Sequence, residues 1–372
     1  MKRFTAFGRI AVCLLTCLLC LLGPAQANST LTSNVRLKAA GITPRFFNLV
    51  SISPDNRYIC GYSREAAKPG SKQYITTMFI LSVAANGSID KIRAFPMENV
   101  GRIEQACFTP DSKAVVFTVK AGATFMKLDC ASGELTTIME HVNGQPGFRS
   151  YPEIIINSNG EMIAQGYFYD ANDFAGRNAI AVIDPNKTGV AAFTLANEVQ
   201  KAQFSVREDN KFFTENFPRK DVGFMTVQGG GYCLFYRWLA DKGVKSYDKG
   251  QEMLGAWGGG SRLLYTVKRG EHNYDLCVYD ALTENLVTLS SGRHTPFMYV
   301  FLSADGKTAL FNDTNEKSGV TTVYYAREGE GWKVKPVQGL AKKMAIGGQR
   351  ISDDGTKMIM HGNDGIRVTD IK

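Results

Sequence analysis

The chain has 372 residues, with 43 lysines and arginines against 35 aspartates and glutamates and a net charge of +8. The basic residues nowhere run beyond pairs such as Arg219-Lys220 and Lys342-Lys343, so the stripe or arm of a nucleic-acid binder is missing. Only four histidines occur, His141, His272, His294 and His361, none at metal-ligand spacing from another, which leaves little material for zinc or histidine acid–base chemistry.

Residues 1–27 read as an export signal that is removed. Lys2, Arg3 and Arg9 form the basic region, Ile10 to Leu22 the uncharged apolar core, and Ala25-Gln26-Ala27 a small-x-small cleavage site. The apolar core is shorter than the roughly 20 residues needed to cross a bilayer as a helix. No later stretch is longer, so a periplasmic or secreted mature chain, 28–372, is expected, with no transmembrane segment. Cys17 and Cys20 follow Thr16 and Leu19, where a lipid-anchored chain would carry a small residue. Removing the three basic residues leaves 40 against 35, a mature charge of +5. Five cysteines remain, Cys60, Cys107, Cys130, Cys233 and Cys277. An odd number leaves at least one thiol without an internal partner, and their apolar neighbours mark them as buried small hydrophobes.

One turn recurs along the mature chain. It reads Ser53-Pro54-Asp55-Asn56-Arg57, Thr109-Pro110-Asp111-Ser112-Lys113, Asn157-Ser158-Asn159-Gly160-Glu161, Arg207-Glu208-Asp209-Asn210-Lys211, Gly258-Gly259-Gly260-Ser261-Arg262, Ser303-Ala304-Asp305-Gly306-Lys307 and Ser352-Asp353-Asp354-Gly355-Thr356. The third positions are 56, 48, 50, 51, 45 and 49 residues apart, a period that points to a propeller or solenoid. Asp, Asn, Gly and Pro suit the tight backbone angles of a strand reversal. Strand-like runs flank each turn, such as Tyr299-Val300-Phe301-Leu302 before and Ala114-Val115-Val116-Phe117 after, and two further runs complete a four-stranded unit. The expectation is an all-β chain, one seven-bladed β-propeller of four-stranded antiparallel blades filling 28–372. The seventh unit lacks sequence for its outer strand, and Leu31 to Leu37 is expected to supply it, closing the ring.

The Ser-Pro-Asp-x-Arg/Lys turn and the later aliphatic strand ending in Asp resemble the WD40-like propeller repeat of TolB C-terminal domains and prolyl-oligopeptidase-type enzymes. The resemblance covers the mature chain at the level of the repeat. It implies the fold and leaves the activity open. TolB also has a separate N-terminal domain and generally six blades, so a TolB role is not implied.

Chemistry is sparse. The nearest approach to a Gly-x-Ser-x-Gly nucleophile turn, Gly259-Gly260-Ser261-Arg262-Leu263, fails at its last position. Asp170-x-Asn172-Asp173 and Asp313-x-Asn315-Glu316 open like calcium loops but lack the EF-hand's fifth ligand and its glycine at position six. In propeller order the loops from second to third strands share a face with the inter-blade connections. They span approximately 63–73, 118–123, 169–178, 214–222, 268–275, 312–319 and 361–365, and hold ten basic and ten acidic residues, so no charge sign dominates. Tyr169, Asp170, Asp173, Phe174, Arg177, Phe217, Arg219, Arg269, Tyr274 and Asp313 are the candidate binding residues there, Tyr and Arg being the types enriched where proteins meet partners. No catalytic or metal-ligating residue is assigned and no cofactor is expected. The expected function is that of a monomeric, non-enzymatic binding or scaffold module meeting an envelope or extracellular protein. The alternative is a lactonase-like hydrolase with a calcium-type divalent ion in the channel, drawing on Glu153, Asp170, Asp173, Glu271 and Asp313. A carbohydrate-binding module is disfavoured by the scatter of Trp238, Trp257 and Trp332.

Overall fold

The computed structural model describes residues 29–42, 47–66, 74–97, 100–142, 147–156, 161–170, 173–195, 222–229, 231–239, 241–315, 318–340, 346–362 and 364–372. The export signal expected at 1–27 lies outside the described residues. Among these residues the chain is all β apart from a six-residue helix, α1 (Asn34–Ala39), and short 3-10 turns, and no helix is long and apolar enough to cross a membrane.

The strands form antiparallel sheets in chain order. The first holds β2 (Asn48–Ile52), β3 (Tyr58–Ala66), β4 (Tyr74–Val83) and β5 (Ile89–Met97). The second holds β6 (Gln105–Phe108), β7 (Ala114–Val119), β8 (Thr124–Asp129) and β9 (Leu135–Glu140). The third holds β10 (Gly147–Ile156), β11 (Met162–Asp170), β12 (Asp173–Ile183) and β13 (Phe193–Leu195). The fourth shows three strands, β14 (Val222–Gly229), β15 (Tyr232–Leu239) and β16 (Gly243–Gly250). The fifth holds β17 (Glu252–Gly259), β18 (Arg262–Gly270), β19 (Asn273–Asp280) and β20 (Asn285–Arg293), and the sixth β21 (Met298–Leu302), β22 (Thr308–Thr314), β23 (Thr321–Arg327) and β24 (Lys335–Pro336). In the last, β25 (Ile346–Ile351), β26 (Lys357–Gly362) and β27 (Gly365–Asp370) are joined by β1 (Ser29–Ser33), which pairs with β27 from Ser29 opposite Thr369 to Ser33 opposite Gly365.

The hydrophobic cores lie between sheets. One joins the first and second through Cys60, Met78, Ile80, Phe108, Phe117 and Leu128, and another joins the last to the first through Ile359, Ile366, Leu49 and Phe79. Comparable clusters bridge second to third, fourth to fifth, fifth to sixth and sixth to last. A strand covered on both faces reads as a continuous apolar run. That is why Ala114–Val119 is buried at every position, whereas the outer strand β20 alternates exposed and half-buried residues. The first strands stand side by side: β2 beside β6 and β25, β6 beside β10, and β21 beside β17 and β25.

The recurring turn explains itself in hydrogen bonds. Ser53 Oγ donates to Asp55 Oδ1 (2.6 Å) and accepts from the Tyr58 N–H (2.8 Å), while the Arg57 N–H donates to Asp55 Oδ1 (3.1 Å). Thr109 with Asp111, Ser303 with Asp305 and Ser352 with Asp354 repeat this arrangement. The fourth residue is left-handed in all four, Asn56, Ser112, Gly306 and Gly355, as a three-residue reversal with a bulge requires. Adjacent turns are also stitched together. The Asp55 N–H donates to Ser112 Oγ (3.3 Å), Asn56 Nδ2 to Asp354 Oδ2 (2.7 Å), the Ala304 N–H to the Asp353 carbonyl (3.0 Å) and the Gly260 N–H to the Ala304 carbonyl (2.8 Å).

One expectation needs correction. The N-terminal strand ends at Ser33 rather than Leu37: beyond the last partner, Gly365, the chain turns into α1, which buries Leu37 completely in the core between the last and first sheets. In the fourth sheet β14 and β15 are joined between Gly229 and Tyr232, and β15 and β16 between Leu239 and Gly243. The turn expected at 207–211 and, up to residue 221, the loop expected at 214–222 lie outside the described residues.

Candidate functional site

The first strands line a central cavity of about 310 Å³. Asn48 to Ile52 form one wall, Ile103 to Cys107 the next, Ile154 and Ile156 a third, then Trp257, Phe301 with Leu302, and Arg350 to Asp353. Six sheets thus contribute among the described residues. The walls mix apolar side chains with polar groups held in place. Arg350 Nε donates to the Val50 carbonyl (2.6 Å), Nη1 donates to the Gln349 carbonyl (2.7 Å), and its guanidinium lies 5.5 Å from the Phe301 ring centre. Gln105 Oε1 accepts from Ser150 Oγ (2.9 Å), and Tyr62 Oη donates to the Ile103 carbonyl (3.0 Å). Glu104 is exposed, 3.8 Å from Arg102. Trp257 meets Phe301 edge to face at 4.9 Å. A cavity that joins apolar side chains to fixed polar groups suits a ligand.

At the turn end of this cavity stands Asp353. It is half-buried, and its carboxylate makes no hydrogen bond or ion pair with the described residues. Burial, reinforced by the charge of neighbouring Asp354, pushes its pKa up to about 6.

Among the residues singled out from sequence, Tyr169, Arg269, Tyr274 and Asp313 do not line this cavity. Arg269 bridges Asp248 (2.7 Å) and Asp275 (3.0 Å), with Tyr265 Oη donating to the same Asp248 (2.5 Å). Its hydrogen bonds to Asp248 raise the guanidinium pKa further, so Arg269 ties the fourth sheet to the fifth. Asp313 is paired with Arg293, which also donates to the Thr314 carbonyl (3.1 Å). Tyr274 is half-buried on β19, paired in register with Lys268 and Arg293. Tyr169 stacks on His141 with ring centres 4.6 Å apart, and burial followed by the charge of Arg149 lowers the His141 pKa. Asp170, Asp173, Phe174 and Arg177 lie on the strands of one long hairpin, Asp170 opposite Asp173 and Phe168 opposite Arg177, where a loop was expected; only their backbone is described. Phe217 and Arg219 lie outside the described residues.

Of the carboxylates considered for a divalent ion, Glu271 is almost fully exposed beside His272 and Asp313 is neutralised by Arg293. The side chains of Glu153, Asp170 and Asp173 lie outside the described set. Among the described residues no three His, Cys, Asp or Glu side chains gather closely enough to hold a metal. Cys60, Cys107, Cys130, Cys233 and Cys277 are all buried, and none forms a disulfide with another described residue.

No protein-family model and no curated protein sequence matches the chain. Solved structures do. The chain is similar to an oligogalacturonate lyase in complex with manganese (13% identity, 89% of this chain and 92% of that one, TM-score 0.54). It is similar to the β-propeller domain of the Trilobed protease from Pyrococcus furiosus (14% identity, 85% and 91%, TM-score 0.53). A third likeness is to the C-terminal WD40 domain of Sif2 (11% identity, 88% and 97%, TM-score 0.50). At such identities the likeness is one of fold: the chain has a WD40-like β-propeller fold.

Proposed function

We propose that this chain is an exported, non-enzymatic binding module. Its seven sheets act as the blades of one ring, latched by β1 on β27, and present the central cavity to a partner protein of the envelope or the extracellular space. The observation that carries the reading is the cavity itself, lined by the first strands of six sheets and by the exposed Glu104. The charged loop residues that would serve a hydrolase give less support: Arg269 and Asp313 are spent on ion pairs within the protein, and Glu271 points into solvent. Export rests on the signal in residues 1–27.

The test is capture of a cross-linked partner from envelope extract by the purified mature protein and by Glu104→Arg. The variant reverses charge at an exposed position lining the cavity, so folding is retained. A partner captured by the wild type and lost with Glu104→Arg supports the reading. Substrate turnover with no captured partner overturns it in favour of a channel enzyme.

A further inference from the structure

The turn end of the cavity departs from the rest of the repeat at one residue. In the turns of the other described first hairpins, the second position holds Pro54, Pro110, Gly259 or Ala304; in the last sheet it holds Asp353. Proline suits that position because its fixed backbone angle matches the turn. The aspartate side chain does nothing for the turn. The stitching to Ala304 uses its main-chain carbonyl, and the serine contact belongs to Asp354. Asp353 instead lines the cavity with no counter-ion among the described residues, and Trp257, Phe301, Leu302 and Ile351 line the same cavity. Arg350 directs its Nε at the Val50 carbonyl and forms no ion pair with Asp353. A half-buried carboxylate with no partner costs stability, and a local rule broken without structural gain marks a functional position.

We propose that the turn end of the channel binds an alkylammonium group, with Asp353 as counter-ion and the Trp257 and Phe301 rings as walls for its methylenes. The inference rests on the cavity being the binding site. Charge complementarity selects the cation, since an anionic or neutral occupant leaves the carboxylate unpaired. Aromatic walls favour a cation carried on an apolar stem. A free amine and the lysine side chain of a partner share this chemistry.

The experiment is calorimetric titration of the mature protein with n-butylamine and with Nα-acetyl-lysine N-methylamide, the Nε-acetylated form of the latter serving as control. Binding is expected, and Nε-acetylation, Asp353→Asn or Asp353→Pro should each weaken it at least tenfold. Asp353→Pro restores the residue that the Ser53 and Thr109 turns carry, so the fold tolerates it. Binding of butylamine alone assigns the site to a free amine; binding of both assigns it to a lysine side chain as well. Binding of neither amine, equal binding by both variants, or tighter calcium binding that Asp353→Asn abolishes would overturn the proposal. Captured partner without amine binding removes this inference alone, and amine binding without a captured partner removes only the partner-protein reading.

Discussion

Replacing Asp353 by asparagine should stabilise the protein, and only above a definable pH. The folded carboxyl has its pKa raised from 3.8 to about 6, chiefly by burial. At 1.36 kcal/mol per pH unit that is about 3 kcal/mol, which screening by cavity water reduces to about 1–2 kcal/mol. The sign follows from proton counting. Between about pH 4 and 6 the folded protein holds the proton more tightly than the unfolded chain, so stability falls as pH rises through that window and the penalty is constant above it. Below pH 3.8 both states are protonated and the penalty vanishes. Urea denaturation of wild type and Asp353→Asn at pH 4, 5, 6 and 7.5 should therefore show matching midpoints at pH 4 and a variant more stable by about 1–2 kcal/mol at pH 7.5. A difference that does not change with pH, or a variant less stable at pH 7.5, would refute the reasoning, because it would mean that the carboxylate has a stabilising partner.

Arg269→Ala should cost about 3 kcal/mol or more in urea denaturation, because it strands Asp248 and Asp275 as unpaired, largely buried charges. Arg269→Lys should recover only part of that, lacking the fork that reaches both carboxylates. Ser303→Ala removes the hydroxyl that accepts from the Thr308 N–H and donates to Asp305, a loss of about 1–2 kcal/mol by the same measurement. Gly306→Ala should cost about 2 kcal/mol or more, since the residue is left-handed and a methyl there would strike the Gly259 carbonyl oxygen of the neighbouring turn. The five buried thiols should react with Ellman's reagent only on unfolding; burial pushes Cys130 up to about 12, and rapid labelling of the native protein would contradict its core position.

What the sequence revealed and what it hid divide along the range of the interactions. The Ser/Thr-x-Asp turn is held by contacts within five residues, from Ser53 Oγ to the Tyr58 N–H, so its signature survives in sequence. Strands sandwiched between neighbours, such as Ala114–Val119, carry their burial as an unbroken apolar run. The hairpin between Gly229 and Tyr232 left no mark in the repeat because the sequence there carries no Asp or Pro and resembles the glycine run at 258–260. Two of the loop candidates have internal partners that the sequence does not show. Arg269 reaches Asp248 on the next sheet, and Arg293 reaches Asp313 across another sheet boundary. Such pairs lie about twenty residues apart, and nothing local distinguishes an arginine awaiting a ligand from one already occupied.

Asp353 was legible and passed over. The repeat was aligned on its third residue, where aspartate is the rule, so a second aspartate one place earlier read as one more turn-former. The structure separates the two by what they touch: Asp354 bonds Ser352, Thr356 and Asn56, and Asp353 bonds none of them through its side chain. In the last two sheets the second turn position, Ala304 and Asp353, lines the cavity, whereas the third, Asp305 and Asp354, folds back on its own hairpin. In a repeat of this kind the conserved chemistry of the turn is consumed in joining the sheets. A ligand-binding charge should therefore be sought where one unit breaks the pattern at a position facing the channel, and in the described turns Asp353 is the charged residue that meets that condition.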